Sequence, residues 1–495
     1  MKKMNGRKLM KTALLWAALL VAAVTQAQTK IVVLTDTHVM APELLVNDGS
    51  AWQHYLEYDP KLEDYSQQLF DAMIEQLKTE TKPDMVFITG DLTKDGELLS
   101  HQYVVSKLEE LRQAGIKVLV VPGNHDYGTD GAVYFDGSET YPATTASRSE
   151  IEQLYSNFGF GSAFEREPTT MTYACQPFPG LTVIGIDSGV YGELSSTTLN
   201  WVCNKASEAY AATDRVIALM HHALIPHVTG IDKIPSLEAA VVDHETVRDR
   251  LIAAGVSMVF TGHLHIGDIA KDYAQDPSVL IYDVATGALV DYPNYYREVT
   301  ISEDLQEIQV KTNQIRSIPG SDFSNSIARN RLQDAIRNFL RQYTGEGNIL
   351  TRRIINEALN LAANAATYFA EGNEDQSSNA AQALTRLIEL FNLASQFVDL
   401  DSLLEEAGLT KDDITTMIHS ALENKTCYGM YGHESVTDDL TLTVPLRGLP
   451  RHDTGITSIQ SSEAPTPYYS LQGVKVDKPS AGVYVKDGRL VIIRR

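Results

Sequence analysis

Five short stretches of this chain carry the side chains that could do chemistry: Asp36-Thr37-His38, Gly90-Asp91, Gly123-Asn124-His125-Asp126, His221-His222 and Gly262-His263-Leu264-His265. Imidazole, carboxylate and carboxamide groups together suit borderline ions such as Zn, Mn and Fe. Two such ions about 3.5–4 Å apart can activate a water and neutralise a phosphoryl oxygen in an in-line displacement. That chemistry needs oxygen and nitrogen ligands, one carboxylate able to touch both ions, and room for substrate. Each stretch alone is common. Their order along the chain is what points to one site.

Each stretch also ends an apolar run. KIVVLT (30–35) leads into Asp36, MVFIT (85–89) into Asp91, KVLVV (117–121) into Asn124, RVIALM (215–220) into His221 and VSMVF (256–260) into His263. Short β-branched runs bounded by Gly and Asp read as buried strands. Helical spacing lies between them, over 60–80, 97–113, 195–211 and 243–254, so the pattern is strand–helix–strand and the sheets are largely parallel. Ligands gather outside the carboxyl ends of such strands. Asp-x-His and His-x-His on extended backbone would place both side chains on one side, with Gly90, Gly123 and Gly262 allowing tight turns beneath them. Residues 39–59 read as irregular and aromatic. Residues 127–170 form an aromatic insertion that suits a lid or substrate wall. From 265 to about 315, alternation suits antiparallel hairpins.

The set D-x-H, G-D, G-N-H-D, H and G-H-x-H resembles the calcineurin-like metallophosphoesterase superfamily over residues 30 to about 315, with all five motifs in family order. ITGDLTKDGE, the PGNHD after KVLVV and the His-His after a strand most resemble its class III cyclic-nucleotide phosphodiesterase-like branch. The resemblance implies an α/β fold, an α/β/β/α sandwich of two mixed sheets. It implies that Asp36, His38, Asp91 and His265 hold one metal ion, that Asp91 bridges, and that Asn124, His221 and His263 complete the second. His221 is preferred to His222 because it directly follows the strand. His125 would stabilise or protonate the leaving oxygen, and Asp126 would orient the loop or an imidazole. The cofactors implied are two divalent or trivalent ions, Mn, Fe or Zn. The protein Ser/Thr phosphatases of the superfamily carry Asp-Arg-Gly in the second motif, whose Asp pairs with the catalytic His. Here Lys94-Asp95-Gly96 offers no Arg and a different register, which argues against a protein phosphatase.

Composition bounds the rest. With 495 residues, 43% apolar and 21% charged, the chain is globular and holds more than one domain. A formal net charge of −23 argues against binding a nucleic-acid duplex through its backbone, while a small phosphate substrate remains compatible with bound cations. Residues 1–27 read as a signal peptide: Lys2, Lys3, Arg7, Lys8 and Lys11, then an apolar stretch from Ala13 to Val24, then Thr25-Gln26-Ala27. The chain is therefore expected to be exported, to the periplasm, the cell surface or the medium, with no membrane span. Cys175, Cys203 and Cys427 match no metal spacing and read as structural.

The expected domains are a catalytic domain over 28–316, a helical bundle over 327–425 after a Ser/Pro/Gly-rich linker, and a β-rich region over 426–495. Within the last, 468–495 resembles the sorting tails of type IX secretion substrates. The expected function is hydrolysis of a small phosphodiester or nucleotide-type phosphoric ester by a hydroxide bridging the two ions. The alternatives are a phosphomonoesterase with the same site, or a cell-surface binding protein with a vestigial one.

Overall fold

The computed structural model describes residues 28–227, 238–341, 349–371, 382–383, 385–386, 410 and 441–448, and the strand residues 468–469, 475–476, 482–486 and 489–493. The expected signal peptide, Cys427 and most of 372–425 lie outside the described residues. The chain falls into two compact units, Met1–Leu449 and Pro450–Arg495.

In the first unit the chain runs through β1 (Thr29–Leu34), α1 (Ser50–Tyr58), α2 (Ser66–Gln76), β2 (Met85–Thr89), α3 (Leu98–Gln113) and β3 (Lys117–Val121). After the insertion come β4 (Glu165–Arg166), β5 (Tyr173–Phe178), β6 (Leu181–Ile186), α4 (Ser196–Ala211), β7 (Arg215–Met220), α5 (His244–Ala254), β8 (Val256–Thr261), β9 (Asp268–Tyr273), β10 (Leu280–Ala285), β11 (Tyr295–Ile301) and β12 (Glu307–Gln314). Two helices follow, α6 (Asn325–Arg341) and α7 (Ile349–Glu371), and then β13 (Thr441–Pro445).

These strands make two mixed sheets. The first has the order β13-β12-β11-β1-β2-β3, and the second β9-β10-β8-β7-β6-β5-β4. β1, β2 and β3 are parallel to one another, and so are β6, β7, β8 and β10. Side chains on a strand alternate between faces, and the second sheet shows the alternation plainly. Ile217, Leu219, Met258 and Phe260 join the core shared with the first sheet. Val216, Ala218, Met220 and Val259 join the core under α4 and α5. Phe260 meets Phe87 of β2 with ring centroids 6.1 Å apart, so the two sheets pack face to face. Leu69, Phe70 and Met73 of α2 and Val104, Leu108 and Leu111 of α3 are buried against the first sheet. The layers are therefore α/β/β/α. Covering both faces explains why β2 reads as an unbroken apolar run, all five residues buried.

Local signals fix the helix ends. Ser195 caps α4, its hydroxyl accepting from the Thr198 amide at 3.0 Å. Gly255 ends α5 at φ +97°, where a side chain would also strike Tyr210.

Several expectations shift. Residues 39–59 are not irregular throughout: α1 forms there because Trp52 packs with Met40, Ala41, Leu44 and Phe135 in a separate apolar cluster, which the insertion after β3 helps build. The helix expected over 60–80 begins only at Ser66, after a tight turn at Glu63–Tyr65. β10 pairs antiparallel with β9 but parallel with β8. Beyond residue 316, β13 pairs antiparallel with β12 and so supplies the edge of the first sheet. In the expected helical region, α6 and α7 are the described helices. Arg331 of α6 ion-pairs with Asp64 at 2.8 Å, and Asn338 donates to the Glu57 carbonyl at 2.9 Å.

In the second unit, Tyr468–Tyr469, Lys475–Val476, Gly482–Lys486 and Arg489–Ile493 form a four-stranded antiparallel sheet.

Candidate metal centre

The carboxyl ends of β1, β2, β3, β7 and β8 meet at one place, and the five stretches of polar residues meet with them. Beyond their strands, the first two stretches stay paired: the Asp36 amide donates to the Gly90 carbonyl at 3.0 Å and the His38 amide to the Asp91 carbonyl at 2.9 Å. Asp126 braces the third. Its carboxylate accepts from the amides of Leu92, Thr93 and Gly123 at 2.9–3.1 Å and from the Thr93 hydroxyl at 3.0 Å. It therefore orients the loop rather than an imidazole.

The backbone here differs from the extended form expected for Asp-x-His and His-x-His. Asp36 (φ +49°), His38 (+36°), Asp91 (+48°), His263 (+69°) and His265 (+57°) all occupy the left-handed region. Non-glycine residues pay strain there and persist only where surrounding contacts over-determine them, often at functional sites. Only Gly90 of the three expected turn glycines has positive φ, at +96°. Gly123 and Gly262 serve by absence: a Cβ on Gly123 would overlap the Asp91 carboxylate, and one on Gly262 would overlap Thr35 and Asp36.

Two groups of donor atoms share Asp91. In the first, His265 Nε2 lies 3.3 Å from Asp36 Oδ1 and 3.3 Å from His38 Nε2, while His38 Nε2 lies 3.5 Å from Asp91 Oδ2. In the second, His221 Nε2 lies 3.3 Å from Asp91 Oδ2 and 2.9 Å from Asn124 Oδ1, which is also 3.0 Å from His263 Nδ1. Asp36, His38 and His265 lie close enough together to hold an ion, as do Asp36, Asp91 and His221, and also His38, Asp91 and His125.

The other ring nitrogens settle which atoms face inward. His221 Nδ1 lies 2.8 Å from the Thr89 carbonyl, which can only accept, so Nδ1 carries the proton and Nε2 turns a lone pair to the cluster. His265 Nδ1 is likewise taken by Asp291 Oδ2 at 3.2 Å. The inward nitrogens thus meet carboxylate oxygens, an arrangement that asks for positive charge between them, from protons or from a cation. Burial by itself would lower the pKa of both rings. Yet Asp91 pushes His221 up to about 9, and Asp36 with Asp291 pushes His265 up to about 10. Burial would also raise Asp91, but His221, His125 and His38 hold it well below the usual carboxylate range. The donor set fits the borderline ions named above.

His222 points away. Its Nδ1 lies 2.8 Å from the Ser188 hydroxyl, and its ring packs on His263 with centroids 4.4 Å apart. Burial, then the neighbouring His263 and His221, keep it well below the usual imidazole range and uncharged.

His125 is organised differently. Its amide donates to Asp91 Oδ1 at 2.8 Å. Its Nδ1 lies 2.9 Å from the Lys94 carbonyl and 3.0 Å from Asp95 Oδ1, so Nδ1 is the donor and Nε2 is left for the site. Burial opposes charge on His125, but Asp91 and Asp95 outweigh it and raise its pKa. Asp95 is itself lowered to about 2, burial being outweighed by His125 and by Lys94, whose ammonium pairs with it. This corrects the sequence reading. The carboxylate–histidine pair that the register of Lys94-Asp95-Gly96 argued against is present, while the missing Arg still sets the motif apart from that of the protein Ser/Thr phosphatases. Asp291 was also missed, although it follows the apolar run Ala288–Val290 and has the same signature as the other sites.

The family model described as Calcineurin-like phosphoesterase matches residues 29–267. That span is a calcineurin-like phosphoesterase domain. The domain's curated relatives include a "Probable glycerophosphodiester phosphodiesterase" of Arcobacter nitrofigilis, 25% identical over 207 residues, covering 41% of this chain and 64% of the relative. Another is a "Probable cyclic nucleotide phosphodiesterase" of Synechococcus sp., 25% identical over 195 residues, covering 38% and 59%. The chain thus spans about three fifths of the length of these relatives. A solved structure of a dimetal phosphatase from Danio rerio aligns at 15% identity and a TM-score of 0.41, covering 58% of this chain and 96% of that one.

Proposed function

We propose that this protein is a binuclear-metal hydrolase of phosphoric esters, acting on a small phosphodiester. One observation carries the reading: two groups of buried lone pairs, from five separate loops, share the carboxylate of Asp91. Asp36, His38, Asp91 and His265 would hold one ion, and Asp91, Asn124, His221 and His263 the other. Bound there, the ions would activate a water for attack at phosphorus and neutralise the phosphoryl oxygens.

The chain's own residues prepare that chemistry. The His125 amide anchors Asp91 Oδ1, which leaves Oδ2 for His38 and His221. Asp95 and the Lys94 carbonyl hold Nδ1 of His125 and turn Nε2 toward the site. There the protonated ring can donate to the leaving oxygen. Asp291 and the Thr89 carbonyl fix the tautomers of His265 and His221.

The diester preference is supported by the names of the two curated relatives, both phosphodiesterases. With Asp95 beside His125, the monoester alternative has a specific observation in its favour, and rates separate the two. Manganese-loaded protein should hydrolyse bis(4-nitrophenyl) phosphate faster than 4-nitrophenyl phosphate. The reverse order would establish the monoesterase, and turnover of neither with Mn, Zn or Fe would favour a binding protein with a vestigial site. A screen over cyclic nucleotides, glycerophosphodiesters and nucleotides would then narrow the substrate. Export is part of the same proposal, supported by the leader-like residues 1–27. Mass spectrometry of the native protein should find a chain beginning at Gln28, and an intact Met1 would refute it.

A further inference from the structure

The segment between α1 and α2 carries a lysine that neither the motifs nor the metal centre uses. Lys61 Nζ lies 3.6 Å from both Asp59 Oδ2 and Glu63 Oε1, too far to hydrogen-bond either. The Lys61 side chain is 12% exposed and that of Glu63 is fully buried. Both carboxylate oxygens of Glu63 lack a hydrogen-bond partner. A buried ion pair held this loosely is poorly compensated for its desolvation, and each such unmet group calls for an explanation.

Its location supplies one. The Leu62 amide donates to the Val290 carbonyl at 2.6 Å, next to Asp291, the partner of His265. On its other side, Asp59 Oδ2 accepts from the Tyr55 hydroxyl at 2.8 Å, the Tyr55 ring lies 4.7 Å from Lys94 Nζ, and Lys94 pairs with Asp95, the partner of His125. The Lys61 segment therefore runs beside Asp291, and its carboxylate partner Asp59 connects it to the His125 side of the site. The helical region holds it there. Arg331 of α6 donates to the Lys61 carbonyl at 3.3 Å while it grips Asp64 at 2.8 and 3.2 Å.

We propose that Lys61 is a substrate-binding residue whose ammonium takes an anionic oxygen of the phosphoester, with Arg331 as the positioning residue that sets its loop. The proposal rests on the phosphoesterase reading of the site. Lysine is a common phosphate partner as a point charge with rotatable donors. Here its nearest carboxylates sit at a distance that leaves those donors available. Glu63 would keep the ammonium in place between turnovers without competing for its hydrogen bonds.

Inorganic phosphate is the probe, titrated calorimetrically into full-length protein loaded with manganese. Lys61→Met should weaken phosphate binding by about tenfold or more, the loss typical of one charge-assisted hydrogen bond, with two ions per chain retained. Lys61→Arg should recover affinity to within about threefold, because the charge is kept. Glu63→Gln should tighten binding, since it removes one of the two negative charges beside the ammonium, and a merely structural lysine would not produce a gain. Arg331→Ala should raise KM for an aryl phosphodiester while kcat and metal content hold. Wild-type affinity in Lys61→Met overturns the proposal. If that variant does not fold, Glu63→Gln decides, and unchanged affinity there overturns it. Wild-type protein that binds phosphate but cleaves no ester would defeat the hydrolase reading, with the Lys61 contact still read from affinity. Wild-type protein that turns over esters while Lys61→Met matches it would defeat the contact alone.

Discussion

Two clusters of histidine and aspartate lie buried near each other in sequence and behave as opposites. At the metal centre, His221 and His265 each spend Nδ1 on a partner outside the cluster and turn Nε2 inward. A few residues away, both nitrogens of His227 face carboxylates: Nδ1 hydrogen-bonds Asp268 at 2.5 Å, and Nε2 lies 3.2 Å from Asp283 as an ion pair without hydrogen-bond geometry. Asp283 is further occupied by the amides of Leu224 and Ile225 and by the Thr261 hydroxyl, at 2.6–2.9 Å. Residue types and burial are alike in the two places. The difference is where the proton resides. His227 stands alone between two carboxylates and supplies their counter-charge itself, whereas at the metal centre several imidazole nitrogens converge on shared carboxylates, where one ion could take the place of their protons. Engaging the far nitrogens of His221 and His265 leaves their inner nitrogens for an ion.

The comparison can be broken first at Asp91. Asp91→Ala removes the shared carboxylate, and His263→Ala removes a donor from the second group. Hydrolysis of an aryl phosphodiester should fall by at least about 10²–10³-fold, with ions lost as measured by plasma mass spectrometry. Full activity in a metal-replete, folded variant would refute the ligand assignment.

Asp95→Asn should come next, with about 10–100-fold lower kcat. Asp95 helps to raise the pKa of His125, so its neutralisation lowers that pKa. The alkaline limb of the kcat profile, where His125 gives up its proton, should therefore move to lower pH. A limb that does not move would show that His125 is not the acid.

Asp291→Asn should weaken metal binding about 10–100-fold through His265, with kcat recovered at saturating metal.

The smallest effect on chemistry should be at His227. His227→Gln should leave metal content unchanged and alter only how stability depends on pH. Burial opposes charge on His227, but Asp283 and Asp268 push it up to about 10. An unfolded imidazole titrates near 6.5. The cluster's stabilisation is therefore complete below about pH 6.5 and lost as pH rises toward 10. Thermal melts of the wild type should decline across that window and those of the variant should be flatter.

Much of this was legible in the sequence. Apolar runs of five or six residues, each closed by His, Asp or Asn, were enough to assemble the centre, because both faces of each sheet are covered and the strands cannot alternate. The left-handed backbone at Asp36, His38, Asp91, His263 and His265 was not legible, since nothing in those residue types demands positive φ. It is imposed by tertiary contacts such as those of Asp126 and by the close approaches that Gly123 and Gly262 permit. The reach of Asp95 to His125 was misread for a related reason: motif register says little about a side chain whose loop is set by a neighbour's hydrogen bonds. Lys61 lay between recognisable motifs and acquires meaning only from the segment at Val290–Asp291 beside it.

The pairing of Thr441–Pro445 with Glu307–Gln314 bears on how the protein can be cut. Every residue of the metal centre precedes position 292, so a fragment ending at 316 would retain all the residues placed at the metal ions, though not Arg331. It would also present Glu307–Gln314 as a bare sheet edge, a template for other chains. Such a fragment should fail by clumping rather than by losing its chemistry, and the minimal soluble enzyme should end no earlier than Leu446.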